Sequence, residues 1–449
     1  MPTQLDITLD TIMDQLVAPG APAETVPFTR NGVAMPSLKN APPSLAHYFE
    51  QYVEQHGDAE FLVDDGCRLT FRETYDAARH VAAGLLSQHR LVKGDRVGIA
   101  ARNSANWIVA YMGITMAGGC AALVNGFSTG EEMADAISMV GCRIVLADRK
   151  RAERLDGTDH GSSILPLKHD CNPAEGLSAV WGDPAATPLP TLGPDDYATL
   201  LYTSGSTGRS KGALSDHRAV IHGTMSYVIQ SLMALTYLSS QGEASALQPC
   251  ALVAVPLFHV TGEIPVFLQS FALGRKLVLM KKWDAGEALR LIDREKVTYF
   301  TGVPLMSYEM ATHPDREKYD TSTCTSFAAG GAPRPVDHVG AIKEAFPGGF
   351  PLLGYGLTET NAIGCGNFNE NYLAKPSSTG KASRPLVDLA ILDEQGNKLP
   401  AGEVGEISIR TVANFLCYWD NKEATRSAIT DDMYFRTGDL GRLDEDGYL

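Results

Sequence analysis

Short apolar runs that suit buried β-strands alternate along this chain with segments of helical periodicity. In one such unit, Thr70 and Glu73 have the spacing of a capping box, which begins a helix, and the run RVGIA (Arg96–Ala100) follows as a short strand. Strands that are apolar on both faces, with helices between them, are typical of a mostly parallel α/β sheet. Further strands are predicted in CRIVLAD, ATLLYT, CALVAVPL, RKLVLM and VTYFTGVP, and a helix followed by a strand in NWIVAYMGITMAGGCAALVN.

The pattern divides the chain into three predicted regions. Residues 1–43 are rich in Pro, Ala and Thr without a strong period, which indicates an irregular N-terminal arm or a capping extension. Residues 44–375 are expected to form two packed α/β subdomains with mostly parallel sheets in a layered arrangement, interrupted by a turn-rich surface excursion at residues 157–196. Residues 376–449 contain short strands separated by Gly, Asn and Pro turns, which predicts a small antiparallel sheet or barrel-like subdomain.

The charge and the cysteine pattern disfavour several classes of protein. The formal net charge of -15 is a poor match for a non-specific nucleic-acid binder or an anionic-membrane binder, because both need clustered Lys and Arg. The eight cysteines include no C-x-x-C pair, which indicates reduced thiols rather than a metal site. No basic-then-apolar leader and no apolar run of bilayer length is visible. We therefore expect a cytoplasmic protein with no nucleic-acid or membrane partner.

The densest cluster of glycine and hydroxyl residues is YTSGSTGRSKG, from Tyr202 to Gly212. A flexible linker is the plain interpretation, but it explains neither the strand-like TLLY before the cluster nor the single Lys211 at its end. The spacing differs from a Walker A loop and from a G-x-S-x-G nucleophile elbow. Glycines that turn backbone N–H groups inward, hydroxyl donors and one cation suit a phosphate group. The expected phosphate contacts are Thr203, Ser204, Gly205, Ser206, Thr207, Gly208 and Lys211.

Five ordered motifs together resemble the adenylate-forming superfamily, which includes acyl- and aryl-CoA synthetases, firefly luciferases and peptide-synthetase adenylation domains. The loop above is similar to the phosphate loop of that superfamily, except that Ser210 stands where the pattern usually has Pro. The resemblance covers nearly the whole chain from about Ser44 and is strongest to the large N-terminal domain of an acyl-CoA synthetase. The other motifs are PLFHVTG (Pro256–Gly262), GGAP (Gly330–Pro333), GYGLTET (Gly354–Thr360) and YFRTGDLG (Tyr434–Gly441).

The resemblance implies that Lys211, Thr358, Glu359 and His259 are catalytic. Lys211 would hold the β- and γ-phosphates and Thr358 would contact phosphate. Glu359 and Thr207 would bind Mg²⁺, an ion that takes oxygen ligands. His259 would border the carboxylate of the substrate and help to orient it. Plainer explanations stay open for single residues, since Thr358 also suits a helix start and His259 a polar position at a strand end.

The resemblance also implies a nucleotide site and an acid pocket. Tyr355 would stack on adenine, and Asp439 would accept hydrogen bonds from both ribose hydroxyls. Taken alone, Tyr355 also suits a core position and Asp439 a turn. The nucleotide contacts would further include Gly330, Gly331, Ala332, Pro333 and Gly356. The acid pocket would be lined by Phe258, Val260, Gly302, Val303 and Gly354.

The function implied is ATP- and Mg²⁺-dependent activation of a carboxylic acid to an acyl-adenylate, followed by thioester formation with CoA. A fatty or aryl acid is expected, since no Asp follows Phe258 to bind an amino-acid ammonium group, although Glu263 leaves that option open. A non-catalytic nucleotide-binding module is the alternative, and the failed Walker spacing disfavours a general ATPase or kinase. The sequence ends before the hinge and C-terminal domain of the superfamily, so we expect weak adenylation and little thioester formation. A homodimer is one assembly that the size allows.

Overall fold

Helices and strands alternate through most of the structure, a computed structural model that describes residues 3–203, 210–243 and 245–449. The described helices are α1 (Gln4–Leu16), α2 (Leu45–His56), α3 (Phe71–Ser87), α4 (Ala105–Met116), α5 (Gly130–Val140), α6 (Arg149–Leu155), α7 (Pro173–Gly176), α8 (His217–Ser240), α9 (Gln269–Ala272), α10 (Ala285–Glu295), α11 (Pro304–Ala311), α12 (Val336–Ala345), α13 (Asn369–Ala374) and α14 (Lys422–Ala428).

The described strands begin with an N-terminal pair and end close to the last residue. They are β1 (Thr25–Arg30), β2 (Val33–Leu38), β3 (Glu60–Asp64), β4 (Cys67–Thr70), β5 (Arg96–Ala100), β6 (Cys120–Leu123), β7 (Ile144–Ala147), β8 (Ser163–Pro166), β9 (Tyr197–Thr203), β10 (Lys211–Asp216), β11 (Cys250–Val253), β12 (Lys276–Leu279), β13 (Tyr299–Gly302), β14 (Ser326–Ala329), β15 (Phe350–Tyr355), β16 (Cys365–Asn367), β17 (Lys381–Ala382), β18 (Asp388–Leu392), β19 (Gly405–Arg410), β20 (Cys417–Tyr418) and β21 (Phe435–Gly441).

Most strands belong to two large sheets. In the first, seven strands lie in the order β20-β10-β9-β6-β5-β7-β8, and those from β9 to β8 run parallel. In the second, nine strands lie in the order β17-β16-β15-β14-β13-β11-β12-β3-β4, and those from β15 to β3 run parallel. A further three-stranded sheet, β18-β19-β21, is antiparallel. The predicted α/β fold with mostly parallel sheets is confirmed.

The main core lies between the two large sheets and contains helix α4. Every residue of α4 is buried, which explains why its sequence is apolar all round rather than on one face. Trp107 and Tyr111 stack within it, with ring centroids 5.7 Å apart. The same apolar cluster includes Ile99 and Leu123 from the first sheet and Val253 from the second. Neither α4 nor any other described helix is long and apolar enough to span a membrane.

The N-terminal region is more regular than the sequence predicts. Helix α1 begins with a capping box in which Thr3 and Asp6 satisfy each other's backbone N–H groups. Strands β1 and β2 then form an antiparallel hairpin. The expectation of an irregular arm was therefore wrong for this region. The acid in the capping box is Asp rather than the usual Glu or Gln, and Ile7 breaks the apolar face because it is exposed.

Two predicted boundaries differ from the sheets that form. The segment at residues 157–196 is not only a surface excursion, because β8 pairs in parallel with β7 and forms an edge of the first sheet. Strands β17 and β20, which lie beyond residue 375, pair with the second and the first large sheet. A division of the chain at residue 375 therefore does not coincide with a boundary between sheets.

Helix α1 is joined to the far end of the described chain through the buried side chain of Asp6. Its carboxylate accepts hydrogen bonds from Asn371 Nδ2 at 3.0 Å and from Tyr448 Oη at 2.8 Å, and Lys381 Nζ lies 3.4 Å away. Replacing Asp6 by Ala should remove the shared acceptor and lower the free energy of unfolding by about 3 kcal/mol. Urea denaturation measures this change.

The exposed Asp10 on the same helix provides a matched control. It pairs with Arg384 at 3.2 Å on the surface, where such ion pairs contribute little. Asp10→Ala should lower the free energy of unfolding by less than about 1 kcal/mol. Equal losses in the two variants would contradict the importance of the buried network.

Candidate functional site

Three neighbouring strands of the second sheet end side by side at its carboxyl edge, where open parallel sheets bind ligands. Gly302 at the end of β13 pairs with Ala329 of β14, which in turn pairs with Leu353 of β15. Gly330 and Gly354 each follow one of these residues, and Gly330 N–H donates to Gly302 O at 3.4 Å. Gly302, which was expected to line the acid pocket, therefore lies next to Gly330 and Gly354, which come from two separate motifs.

Two of these glycines have no packing reason to be glycine. A Cβ added at Gly330 would come no closer than 3.6 Å to a neighbour, the carbonyl oxygen of Gly354, and one added at Gly354 no closer than 3.9 Å, to Tyr227 Oη. By contrast, a Cβ at Gly302 would lie 2.8 Å from the Phe300 ring, and one at Gly356 would collide with backbone. Neither Gly330 nor Gly354 has a positive φ. Their missing side chains leave open space at the strand ends.

Lys211 and Glu359 meet across the ring of Tyr418. Lys211 begins β10 directly opposite Thr203, the last residue of β9, and β20 pairs with the other side of β10. Lys211 Nζ lies 4.9 Å from the centroid of the Tyr418 ring, and Tyr418 Oη donates to Glu359 Oε1 at 2.6 Å. The remaining predicted loop residues lie outside the described residues: Ser204, Gly205, Ser206, Thr207 and Gly208.

The Glu359 carboxyl group is buried close to a positive charge. Burial raises its pKa, while the hydroxyl of Tyr418 and the charge of Lys211 act in the opposite direction. Burial and the nearby Glu359 raise the pKa of Tyr418, so its hydroxyl remains a donor. A carboxylate held this way favours a cation or a cation-bound ligand as its partner.

Tyr355 and Asp439 form a second contact pair. Tyr355 Oη donates to Asp439 Oδ2 at 2.7 Å, and Asp439 N–H donates to Thr437 Oγ1 at 3.1 Å. Burial of Tyr355, with Asp439 beside it, raises the pKa of the tyrosine hydroxyl. Asp439 itself is exposed, so its carboxylate is accessible to a ligand. The predicted adenine and ribose contacts are therefore adjacent.

One short stretch joins all of these features. Gly354 and Tyr355 end strand β15, and Thr358 begins the 3₁₀ turn Thr358–Thr360, which contains Glu359. The stretch therefore contains the open strand end at Gly354, then Tyr355, which bonds to Asp439, and Glu359, which bonds to Tyr418. Thr358 is half-buried in this turn. Among the described residues, the predicted contacts Tyr355, Thr358, Glu359, Asp439 and Lys211 therefore share one neighbourhood.

The segment after β11 presents Phe258 and His259 beside this edge. Asn103 anchors it, since Asn103 Nδ2 donates to Val255 O at 2.8 Å and Asn103 Oδ1 accepts from Leu257 N–H at 2.9 Å. Phe258 meets the exposed Phe127 edge to face, with ring centroids 5.5 Å apart. His259 is exposed, yet partial desolvation by its surroundings lowers the pKa of its imidazole. Phe258 and His259 of this segment, with Phe127 from the loop after β6, therefore offer two aromatic rings and an imidazole.

The other predicted site residues differ in accessibility. Val260 is buried in the main core, so its side chain packs against protein. Val303 is exposed at the start of α11. Gly331, which has φ of +74°, is also exposed, as are Ala332 and Pro333. These exposed residues border the open strand ends, whereas Val260 does not.

Sequence reasoning missed two residues that hold the site together. Tyr418 carries no motif, and its position beside Lys211 depends on pairing between strands about 200 residues apart in sequence. Asn103 lies in ARNSANW, which reads only as a helix start. Glu263 was considered as a partner for an ammonium group, but it is fully buried and bonded to Tyr111 Oη at 2.7 Å. The structure offers no access to it from solvent.

Glu359 could bind Mg²⁺ together with the phosphates of a nucleotide. Within the described residues, no group of three or more His, Cys, Asp or Glu side chains could hold a metal ion. Mg²⁺ commonly needs only one or two protein carboxylates, because substrate phosphates supply other ligands. Glu359 offers a carboxylate beside Lys211, where phosphates are expected. The donor set therefore suits an ion that arrives with a nucleotide.

Comparisons with known proteins match most of the chain to one family. The sequence pattern of the family described as AMP-binding enzyme matches residues 49–419. The 4-coumarate–CoA ligase-like 4 of Oryza sativa subsp. japonica is 31% identical over 410 residues, covering 88% of this chain and 72% of the relative. The long-chain-fatty-acid–CoA ligase of Bacillus subtilis (strain 168) is 29% identical over 421 residues, covering 86% of this chain and 72% of the relative.

The fold also matches a solved domain. The inhibitor-bound crystal structure of the N-terminal domain of FACL13 from Mycobacterium tuberculosis aligns with a TM-score of 0.78 at 26% identity. The alignment covers 90% of this chain and 98% of that domain.

Proposed function

Because the chain belongs to the AMP-binding enzyme family, we propose that it activates a fatty or aryl carboxylic acid with ATP and Mg²⁺ to an acyl-adenylate, the step that precedes transfer of the acyl group to CoA. The observation that carries this proposal is the stretch 354–359, where an open strand end, the Tyr355–Asp439 pair and the Glu359–Tyr418–Lys211 group come together. A single nucleotide would contact all three. Both relatives described above bear names of CoA ligases.

In this proposal, the Tyr355–Asp439 pair binds the nucleoside of ATP, and the Glu359–Tyr418–Lys211 group binds its phosphates. The Tyr355 ring stacks on adenine, and the accessible Asp439 carboxylate accepts hydrogen bonds from the ribose hydroxyls. Lys211, with Thr203 opposite it, neutralises the phosphates. Glu359 would hold Mg²⁺, and the bound ion would supply charge neutralisation along the phosphates.

The chemical step joins two anions and therefore needs neutralised charge rather than a base. A carboxylate oxygen of the acid attacks the α-phosphorus, and an oxygen–phosphorus bond forms. The bond from that phosphorus to the oxygen bridging to the β-phosphate breaks, so pyrophosphate leaves with the electron pair. The thiol of CoA then attacks the acyl carbon, AMP leaves, and the thiol proton passes to solvent. His259 borders the acid and donates or accepts a hydrogen bond that orients its carboxylate.

The acid class follows from the groups that are accessible. Phe258 and Phe127 place aromatic faces at the edge, which suits an apolar chain or ring. Glu263 is sealed against Tyr111 and offers no carboxylate for an ammonium group. The named substrates of the two relatives are an aryl acid and long-chain fatty acids. A fatty or aryl acid is therefore favoured over an amino acid.

The proposed function is tested with a panel of acids. The protein is incubated with Mg-ATP and, separately, 4-coumarate, octanoate, palmitate or phenylalanine, and products are followed by mass spectrometry. We expect pyrophosphate and acyl-AMP from at least one of the first three acids and none from phenylalanine. Formation of ADP and phosphate instead would contradict the proposal, as would nucleotide binding with no acyl-AMP from any acid.

Gly354→Ala tests whether the open strand end accommodates a ligand. The added methyl group has room within the protein, so the folded state should be retained. It projects into the proposed ligand space, and we expect acyl-AMP formation to fall by about 10-fold or more, since one methyl group can cost 1–3 kcal/mol in a fitted pocket. The measurement is kcat/KM for the best acid of the panel.

Gly348 offers the matched control for this change. An added Cβ at Gly348 would have no atom within 4 Å, and Gly348, like Gly354, has no positive φ, but it lies in the turn before β15. Gly348→Ala should leave the activity unchanged. Activity of Gly354→Ala equal to that of Gly348→Ala would contradict a ligand at the strand end.

A further inference from the structure

The second sheet is packed differently on its two faces near the open strand end at Gly354. On one face, Phe300 of β13 and Phe327 of β14 are fully buried among side chains of α10 and α12. On the other face, Ala328 of β14 and its register partner Leu352 of β15 stay partly exposed. Successive side chains of a strand point to opposite faces, so Gly354 shares the face of Leu352. This second face is therefore left partly uncovered.

A groove follows this face between the sheet and helix α8. At its open end, an added Cβ on Gly354 would have Tyr227 Oη of α8 as its nearest neighbour, 3.9 Å away. Thr301 of β13 lies on the same face, and its buried Oγ1 has no hydrogen-bond partner among the described residues. Tyr299, two residues earlier, is level with Phe350 through the parallel register. Because Phe350 stands four residues before Gly354, the groove is about 13 Å long between these two levels.

Arg275 is a buried cation at the far end of this groove, directly before strand β12. Its guanidinium lies over the ring of Tyr299, with Cζ 4.5 Å from the ring centroid, and only 7% of the residue is exposed. Nη1 donates to Gln269 Oε1 at the long distance of 3.4 Å, and Nε has no hydrogen-bond partner among the described residues. The ionisable groups that act on Arg275 are Tyr299 and Cys250, and no described carboxylate is among them.

The polar side chains around Arg275 hold it in place without neutralising its charge. Gln269 donates from Nε2 to Tyr227 O at 2.9 Å and to Ser231 Oγ at 2.7 Å, which ties the guanidinium to the α8 side of the groove. Burial lowers the pKa of Arg275, but a guanidinium stays protonated in proteins. A buried cation without an anion is unfavourable, and a carboxylate can offset this by accepting two hydrogen bonds from the guanidinium.

We propose that Arg275 is a specificity-determining residue that binds a second carboxylate at the distal end of the acid. The reacting carboxylate lies at the open strand end beside Gly354, and the chain of the acid lies along the apolar side chains of Ala328 and Leu352. The distal carboxylate then reaches Arg275. This inference rests on the proposed function and narrows its substrate class to dicarboxylic acids of medium chain length.

Matched pairs of acids test this assignment. Octanedioate, decanedioate and dodecanedioate are compared with octanoate, decanoate and dodecanoate, and the ratio of kcat/KM for acyl-AMP formation gives the selectivity within each pair. Isothermal titration calorimetry gives the Kd of the same acids in the presence of Mg²⁺ and α,β-methylene-ATP, which cannot be adenylated onto the acid. Because each ratio compares two acids on the same protein, a partial loss of folded protein does not change it.

We expect the wild type to favour the dicarboxylate of at least one pair by about 10-fold or more. Arg275→Met keeps an unbranched side chain and removes the charge. It should lower kcat/KM for that dicarboxylate by about 30-fold or more, the scale of removing one partner from a buried charge pair, and leave the monocarboxylate within about threefold. Arg275→Lys keeps the charge without the two-pronged donor and should show an intermediate preference.

Arg334→Met is the matched control. Arg334 is also buried, lies over a tyrosine ring with Cζ 5.7 Å from the centroid of Tyr372, and has an unpartnered Nε among the described residues. Tyr372 packs with Leu353, which faces away from the groove. Arg334→Met should therefore leave the ratio within each pair unchanged.

Three results would overturn this inference and leave the proposed function standing. They are a wild type that prefers no dicarboxylate over its monocarboxylate, an Arg275→Met variant that keeps the preference, and an equal loss of the preference in Arg334→Met. If no acid of either kind yields acyl-AMP, the proposed function fails. The Kd ratios measured with α,β-methylene-ATP then decide the role of Arg275 by the same three criteria.

Discussion

Replacing Glu359 by Gln is expected to lower the rate of acyl-AMP formation by about 10²–10³-fold, the usual cost of losing one preorganised group that stabilises charge in the transition state. Glu359 lies beside Lys211, and its charge is the feature that Mg²⁺ requires. Gln retains an oxygen that accepts from Tyr418 but carries no charge. The measurement is the single-turnover rate of acyl-AMP formation with saturating Mg-ATP and acid.

Stability should respond in the opposite direction to activity. Because burial raises the pKa of Glu359 above its unfolded value, ionised Glu359 is destabilising at neutral pH, and the amide removes that cost. Glu359→Gln should therefore be at least as stable as the wild type at pH 7.5. The wild-type rate should also fall as the pH drops through the raised pKa, since the neutral acid binds Mg²⁺ poorly. A pH-independent rate over the acidic range would not fit this assignment.

Tyr418→Phe tests the hydrogen bond to Glu359 separately from the charge of Glu359. The ring beneath Lys211 remains, and only the hydroxyl that donates to Glu359 Oε1 is lost. We expect a loss of about 10-fold, in line with one hydrogen bond to a charged group. Two results would contradict the role given to Glu359. One is a rate for Glu359→Gln within threefold of the wild type, and the other is a rate for Tyr418→Phe lower than that for Glu359→Gln.

Replacing Asp439 by Ala is expected to weaken Mg-ATP binding by about 10- to 100-fold. The exposed carboxylate is held by Tyr355 Oη at 2.7 Å and is proposed to accept both ribose hydroxyls. Hydrogen bonds to a charged group contribute about 1.5–3 kcal/mol, which gives this range. Isothermal titration calorimetry measures the Kd, with 2′,3′-dideoxy-ATP as a second ligand. The variant and the wild type should bind the dideoxy nucleotide with similar affinity.

The exposed Asp431, close to the same antiparallel sheet, is the control for this change. Asp431→Ala alters the net charge by the same amount and lies outside the Tyr355 contact. It should leave the Kd of Mg-ATP unchanged. If both variants weaken binding equally, the effect is long-range electrostatics, and the ribose assignment is wrong.

The contacts predicted from the sequence depend on local signals of different strength. Gly302, Gly330 and Gly354 could be placed at strand ends because each follows a short apolar run, and parallel register then brings them together. The motifs alone could predict that Tyr355 and Asp439 lie close together, because both were expected to contact the nucleotide.

Other parts of the site depend on non-local packing that one sequence does not reveal. Tyr418 reaches Lys211 only because β20 pairs with β10, and a two-residue strand carries no periodic signal. Glu263 looks like a solvent-facing acid in GEIPVF, yet the π-helical turn points it at Tyr111 in the core. Strand β8 has only four residues and lies in a turn-rich segment. In each case tertiary contacts override the local pattern.

The most direct test of the central claim follows the oxygen that joins the acid to the nucleotide. The best acid of the panel is prepared with both carboxylate oxygens as ¹⁸O and incubated with the protein and Mg-ATP, and hydroxylamine then cleaves the acyl-adenylate at its acyl carbon. If the acid oxygen attacks the α-phosphorus, the AMP should carry one ¹⁸O atom and the pyrophosphate should be unlabelled. Unlabelled AMP, or label in phosphate beside ADP, would show that the acid oxygen does not attack the α-phosphorus and would contradict the account.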